Sequence, residues 1–214
     1  MPRPGWHEAL RTMTRETGTV LAIDETHTHV VGHGGATRRF GLEPDIVTIG
    51  KSIAGGIPLG AYGLIEPLAA EIDVRRERVA ATGGTLFGNP LSMAAARAAL
   101  KKVLTPAAYD HTASLGARLA DGIETAIRDS NLPWTAQRFG PRSGHWYGPE
   151  PRAGQQALAL RDRLLTATQR IWMANRGVWE ALPGAGPTMA VPAREADVDR
   201  YLDAYASFLR AVAG

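Results

Sequence analysis

The chain has 214 residues, 44% of them hydrophobic and 21% charged, with a formal net charge of +3. These are the proportions of an ordinary globular polypeptide, and they exclude a disordered, fibrous or collagen-like one. There is no cysteine, hence no disulfide framework and no thiolate chemistry, and the basic residues are scattered rather than gathered into a patch for nucleic acid. No apolar run reaches the length of a membrane helix, and the opening Met1-Pro2-Arg3-Pro4-Gly5-Trp6 lacks a signal-peptide core. The expectation is a cytoplasmic chain with no nucleic-acid and no membrane partner.

In chain order, short apolar runs alternate with helical segments over the first hundred residues. Strands are predicted at Thr19 to Asp24, Ile46 to Ile49 and Ala61 to Ile65, with a turn-rich passage from Gly32 to Gly35 and a helix from Glu66 to Asp73. Strands separated by helices or long crossovers point to a mostly parallel sheet. Pro90 opens an alanine-rich helix, Leu91 to Leu100, whose small side chains suit close packing against a neighbour. Leu115, Leu119, Ile123 and Ile127 recur at steps of four, which marks one buried helix face ending near Ser130-Asn131-Leu132-Pro133. Beyond it, Trp134 to Phe139 and His145 to Tyr147 read as short strands, and a helix covers Gln155 to Asn175 ahead of Gly177. In the last helix Val198, Tyr201, Leu202, Tyr205, Phe208, Leu209 and Val212 share one face. The fold class expected is α/β over residues 1–110, followed by a small α+β domain over 111–214.

Three elements carry the chemistry. Val20-Leu21-Ala22-Ile23 reads as a buried strand ending on Asp24-Glu25, and Asp45 to Gly50 as another ending on Lys51, ahead of Gly55-Gly56. A carboxylate and an amine thus emerge at strand C-terminal ends, the edge at which open α/β sheets bind ligands. An amine buried against apolar walls tends to lose its proton and becomes a nucleophile toward aldehydes. The third element is Gly83-Gly84-Thr85-Leu86-Phe87-Gly88-Asn89-Pro90 ahead of a helix, where backbone amides and a hydroxyl suit a phosphate. Aldehyde, ring nitrogen and phosphate are the three handles of pyridoxal phosphate.

Four blocks in register, Val20 to Thr28, Gly41 to Lys51, Gly55 to Gly63 and Gly84 to Leu91, resemble the class III aminotransferases, the fold-type I pyridoxal-phosphate family. The Gly-Thr-Leu-x-Gly-Asn-Pro-Leu form is most similar to the glutamate-1-semialdehyde aminomutase branch. The resemblance implies the C-terminal part of the cofactor-binding large domain followed by the small domain, with Lys51 as the Schiff-base lysine and proton shuttle. It implies Asp24 against the pyridine nitrogen, keeping the ring an electron sink. Thr26 stands where the family usually has Val or Ile on the ring face, and His27 where some members have Gln near the ring hydroxyl. Thr85 matches the threonine that reaches the cofactor phosphate of a partner subunit, so a homodimer is implied, acting on a small amine or amino acid. The match starts in the middle of the family's large domain. The usual first half, with a second phosphate loop and a ring-stacking aromatic, would have to come from a complementing N-terminal half. The stretch Asn175 to Trp179 and Pro183 to Pro187 lacks the arginine with which some members hold an α-carboxylate.

Other readings of the same residues are a catalytically dead remnant keeping fold and dimer contacts, and a metal-binding module built on His27, His29 and His33 beside Asp24 and Glu25. No second cluster completes a site for such a module. Thr85 could also serve as an ordinary cap for the helix that follows.

Overall fold

In the computed structural model, which describes residues 3–74, 84–180 and 186–214, the chain divides into two compact units, Met1–Tyr109 and Asp110–Gly214. The first unit opens with α1 (Trp6–Glu16), which closes where Thr19 N–H donates to Thr14 O at 2.8 Å. Because that closure uses the first part of the predicted strand, β1 is shorter than expected and covers Ala22–Asp24. A 3-10 turn (His29–Val31) and the short helix α2 (Gly35–Arg39) lead to β2 (Ile46–Ile49). This crossover lets β2 run parallel to β1, with Ala22, Ile23 and Asp24 opposite Ile46, Val47 and Thr48.

After β2 the chain turns through a 3-10 segment (Lys51–Ala54) and returns as β3 (Ala61–Leu64), antiparallel to β2. The sheet order is β1-β2-β3, so one of its two pairings departs from the expected parallel arrangement. The physical reason is the connection from 50 to 60, which holds no crossover helix and simply reverses the chain. α3 (Glu66–Val74) follows, and α4 (Pro90–Ala98) runs into a π-helical turn (Ala99–Val103). The small residues here do what their composition suggests: Ser92 and Ala96 of α4 and Ala99 of the π-helical turn are buried, as are Ile53 and Ala54 of the turn that follows β2. Ser92 Oγ fastens the two regions by donating to Pro58 O at 3.0 Å.

The second unit is built around α5 (Pro106–Ser130), whose stripe of Leu115, Leu119, Ile123 and Ile127 is buried in full. It packs against Val198, Tyr201, Tyr205, Phe208 and Leu209 of α8 (Glu195–Ala213). Beside them β4 (Thr135–Phe139) and β5 (Arg142–Trp146) form an antiparallel hairpin with Phe139 opposite Arg142. The second strand therefore starts earlier than His145, because the tight Gly140-Pro141 turn brings Arg142 straight into register. The single helix expected from Gln155 to Asn175 is two, α6 (Gly154–Ala159) and α7 (Arg163–Ala174). Asp162 causes the break: its side chain caps α7 by accepting from Leu165 N–H at 2.8 Å, a bond available only outside the helix. Met173 of α7 completes the core.

Candidate active site

Pairing β1 with β2 places Asp24 opposite Thr48, and Lys51 three residues beyond it, so both candidate residues leave the sheet at the same edge. One oxygen of Asp24, Oδ1, accepts three bonds: from Thr26 N–H at 2.8 Å, from the Thr26 hydroxyl, and from Thr48 Oγ1 at 3.2 Å. Its other oxygen, Oδ2, has no hydrogen-bond partner among the described residues. The Thr26 hydroxyl foremost, then the Thr26 backbone N–H, the Thr48 hydroxyl and the positive charge of Lys51 hold this carboxyl below the ordinary aspartate range, against a smaller opposing effect of burial. The carboxylate is thus kept ionised and oriented with one oxygen free to meet a cationic N–H. Thr48 was not singled out from the sequence; only the parallel register reveals it.

Lys51 sits at φ 53, the left-handed region, and among the described residues it shares that conformation outside glycine only with Asn131. Asparagine tolerates this region at helix ends, whereas a lysine there costs about 1 kcal/mol and is held by its surroundings. Those surroundings are Gly50 on one side and the buried Ile53 and Ala54 on the other. A Cβ at Gly50 would lie 2.9 Å from the Thr26 methyl, so the glycine lets the turn carrying Lys51 approach the residue that holds Asp24. The lysine side chain is exposed, not buried as expected. The two strands are likewise only partly covered, with Ala22 and Asp24 of β1 exposed, so the described residues do not supply the apolar walls on which that expectation rested.

Thr26 is half-buried between Asp24 and Gly50, and His27 is exposed on the loop beyond it. Thr85 lies in an exposed turn, and it is not the cap of α4. That position belongs to Asn89, whose Oδ1 accepts from Ser92 N–H at 2.9 Å while its Nδ2 donates to Leu86 O at 3.0 Å. The Thr85 hydroxyl is therefore free of the structural duty that a threonine before a helix often has. Gly83, part of the expected phosphate loop, lies outside the described residues, as do residues 183–185 of the stretch from Pro183 to Pro187.

The histidines do not assemble a metal centre: among the described residues no group of three or more His, Cys, Asp or Glu is placed to hold an ion. His29 and His33 instead meet the edge of Tyr109 at ring separations of 6.2 and 6.1 Å, with Tyr109 hydroxyl 3.4 Å from His29 Nδ1. Glu25 is turned inward, into backbone N–H groups of α2.

A charged pair at the ends of neighbouring parallel strands, one member at a positive φ, is a candidate site at the edge where α/β sheets bind ligands. Residues 1–135 match the class-III aminotransferase family profile, and the chain belongs to that family of pyridoxal-phosphate enzymes. It is 35% identical to a glutamate-1-semialdehyde 2,1-aminomutase of Thermomicrobium roseum over 99% of this chain and 49% of that protein. A second such protein, from Geobacillus kaustophilus, is 38% identical over 83% of this chain and 41% of its own length. The crystal structure of a glutamate-1-semialdehyde-aminomutase from Pseudomonas aeruginosa in complex with PMP superimposes with a TM-score of 0.92 at 33% identity, covering 97% of this chain and 48% of that one. An omega-transaminase from Sphaerobacter thermophilus gives a TM-score of 0.89 at 28% identity, covering 99% and 49%. The fold is accordingly part of the fold-type I architecture, and the chain spans about half the length of the curated relatives it matches.

Proposed function

We propose that this chain is the C-terminal portion of a pyridoxal-phosphate-dependent transaminase or aminomutase acting on a small amine or amino acid. Residues 1–110 would be its share of the cofactor-binding large domain and 111–214 the small domain. The observation that carries the reading is Lys51, held at a positive φ in the turn after β2, the strand that pairs with the one ending in Asp24, whose carboxylate has one oxygen free. The identity of 33–39% to glutamate-1-semialdehyde aminomutases supports the aminomutase branch. When bound, pyridoxal phosphate supplies an aldehyde for an amine to attack and a ring that accepts the electrons of a deprotonated carbon.

The residues fit that group. Lys51 Nζ is the amine that would hold it and carry a proton from one substrate carbon to another. Asp24 Oδ2 is the acceptor that would keep the ring N–H in place, with Thr26 and Thr48 keeping Asp24 charged. Thr26, between Asp24 and Gly50, would lie on the ring face, and His27, exposed on the loop beyond it, near the ring hydroxyl. The Thr85 hydroxyl would serve a phosphate, in a second copy of the chain. In support of a homodimer, Leu86 and Phe87 beside it are 77% and 74% exposed, apolar surface that a partner subunit would cover. A segment equivalent to the relatives' other half would complete the pocket, and the cytoplasmic location belongs to the same proposal.

Borohydride reduction in the presence of pyridoxal phosphate tests the assignment, in the chain alone and with a complementing half. The cofactor should become fixed to Lys51, found by peptide mass; fixation on Lys101 or Lys102 would overturn it. Asp24→Asn should leave fixation largely intact and collapse turnover, because the ring nitrogen loses its anionic partner. If no lysine is labelled under either condition, the chain keeps the fold and dimer contacts of the family without its chemistry.

A further inference from the structure

Glu25 follows the exposed Asp24 yet is itself only 1% exposed. Its carboxylate accepts from the Thr28 hydroxyl at 2.7 Å, from Ala36 N–H at 2.9 Å and from Thr37 N–H. Its own N–H donates to Thr48 O at 2.8 Å, and its carbonyl accepts from His29 N–H at 2.9 Å. One residue therefore ties together the loop after β1, the first turn of α2 and strand β2. Burying a carboxylate is costly unless donors surround it, and here the three donors that do so are neutral. Burial pushes this carboxyl up, but the bonds from Thr37, Thr28 and Ala36 outweigh it and leave it below the ordinary glutamate value. The backbone is shaped to this arrangement: Gly35 lies at φ +71, and a Cβ there would fall 2.6 Å from Glu25 Oε2.

The consequence reaches both candidate catalytic residues. Thr26, next in the chain, gives Asp24 Oδ1 two of its three donors, and its methyl abuts Gly50 ahead of Lys51. We propose that Glu25 is a positioning residue for the Asp24 carboxylate: anchored in Thr28, Ala36 and Thr37, it fixes Thr26 so that one Asp24 oxygen is saturated and the other is presented. This rests on the reading of Asp24 as the ring-nitrogen partner, but the hydrogen-bond arrangement exists without cofactor and can be measured without it.

The test is the titration of the Asp24 carboxyl carbon by NMR in the unliganded 214-residue chain, assigned with Asp24→Asn. The charges that face the two carboxylates are Lys51 beside Asp24 and His29 beside Glu25, and both are retained in every variant. Glu25→Gln removes a neighbouring negative charge, which by itself would lower the Asp24 midpoint. Loss of the Thr26 donors would raise it instead, so the sign of the shift separates positioning from electrostatics. The expected result is a rise of the midpoint toward the ordinary aspartate value. Thr28→Val, which keeps the carboxylate and removes one of its donors, should give a smaller rise and decides the question if Glu25→Gln does not fold. Val198→Ala, in the core of the second unit, lowers stability without touching this loop and should leave the midpoint unmoved. A midpoint unchanged or lowered in the Glu25 and Thr28 variants, with stability reduced, would make Glu25 a purely structural residue and overturn the proposal. Failure of pyridoxal phosphate to attach to Lys51 while the Asp24 shift still follows Glu25 would sink the functional reading and leave the positioning role standing.

Discussion

At Lys51 stability and the proposed function should pull apart. A non-glycine residue in the left-handed region is strained by contact between its Cβ and the following carbonyl, and glycine removes that contact. Lys51→Gly should therefore raise the unfolding free energy of the chain by about 1 kcal/mol, read by urea denaturation, while abolishing cofactor attachment. Lys51→Ala keeps the Cβ and should abolish attachment with no such gain. A destabilised glycine variant would show that the turn is relaxed as it stands. The two strand-end residues were legible in the sequence because each follows a short apolar run and stands ahead of turn residues. The more distant hydrogen-bond partners of Asp24 and Glu25 were not. Thr48, Ala36 and Thr37 lie far along the chain, and only the parallel pairing and the α2 turn bring them in.

At the scale of elements, one ion pair fastens α1 to the start of β2. Arg11 donates through both terminal nitrogens to Asp45, at 2.8 and 2.7 Å, and Asp45 Oδ2 also accepts Leu21 N–H at 2.7 Å ahead of β1. The Arg11 hydrogen bonds first, then that of Leu21, pull the Asp45 carboxyl down to about 2. Between that value and the ordinary aspartate pKa the unfolded chain binds the proton that the folded chain refuses. The stabilisation is thus complete above the ordinary pKa and fades as pH falls toward 2. Asp45→Asn should cost about 2 kcal/mol at neutral pH and flatten the acid limb of the stability profile, measured by denaturation at a series of pH values. An acid limb as steep as the parent's would assign it to other carboxylates. Helix and strand types were readable here from periodicity, as the α5 stripe shows. Boundaries were not, because a capping side chain such as Asp162 and a two-residue turn such as Gly140-Pro141 decide them locally.

For the molecule as a whole, a hydrophobic cluster is buried in the second unit, yet the described surface leaves large apolar side chains uncovered. Trp6 and Met13 on α1, Phe40 after α2, and Leu86, Phe87, Leu91 and Met93 around the start of α4 are all exposed. In the three-stranded sheet β1 and β3 are both edges, which offers unpaired backbone groups as well. The 214-residue chain should accordingly associate as its concentration rises, seen as a growing mass by light scattering. Addition of a separately made segment equivalent to the relatives' other half should suppress that growth. A chain that remains monomeric at high concentration would show that these side chains need no cover. Fold class was readable from the sequence because four motif blocks stand in register along one chain; the antiparallel return of β3 was not, since nothing in its composition reports strand direction.

The division of labour between Asn89 and Thr85 has a consequence for sequence drift. The helix start is secured at position 89, so selection for folding alone should leave position 85 open to almost any side chain while restricting 89 to good caps. Selection for catalysis should close position 85 as well. A library randomised at both sites and sorted once for folded yield and once for activity would separate the two pressures. In a lineage that had shed its chemistry, 85 would be among the first positions to wander.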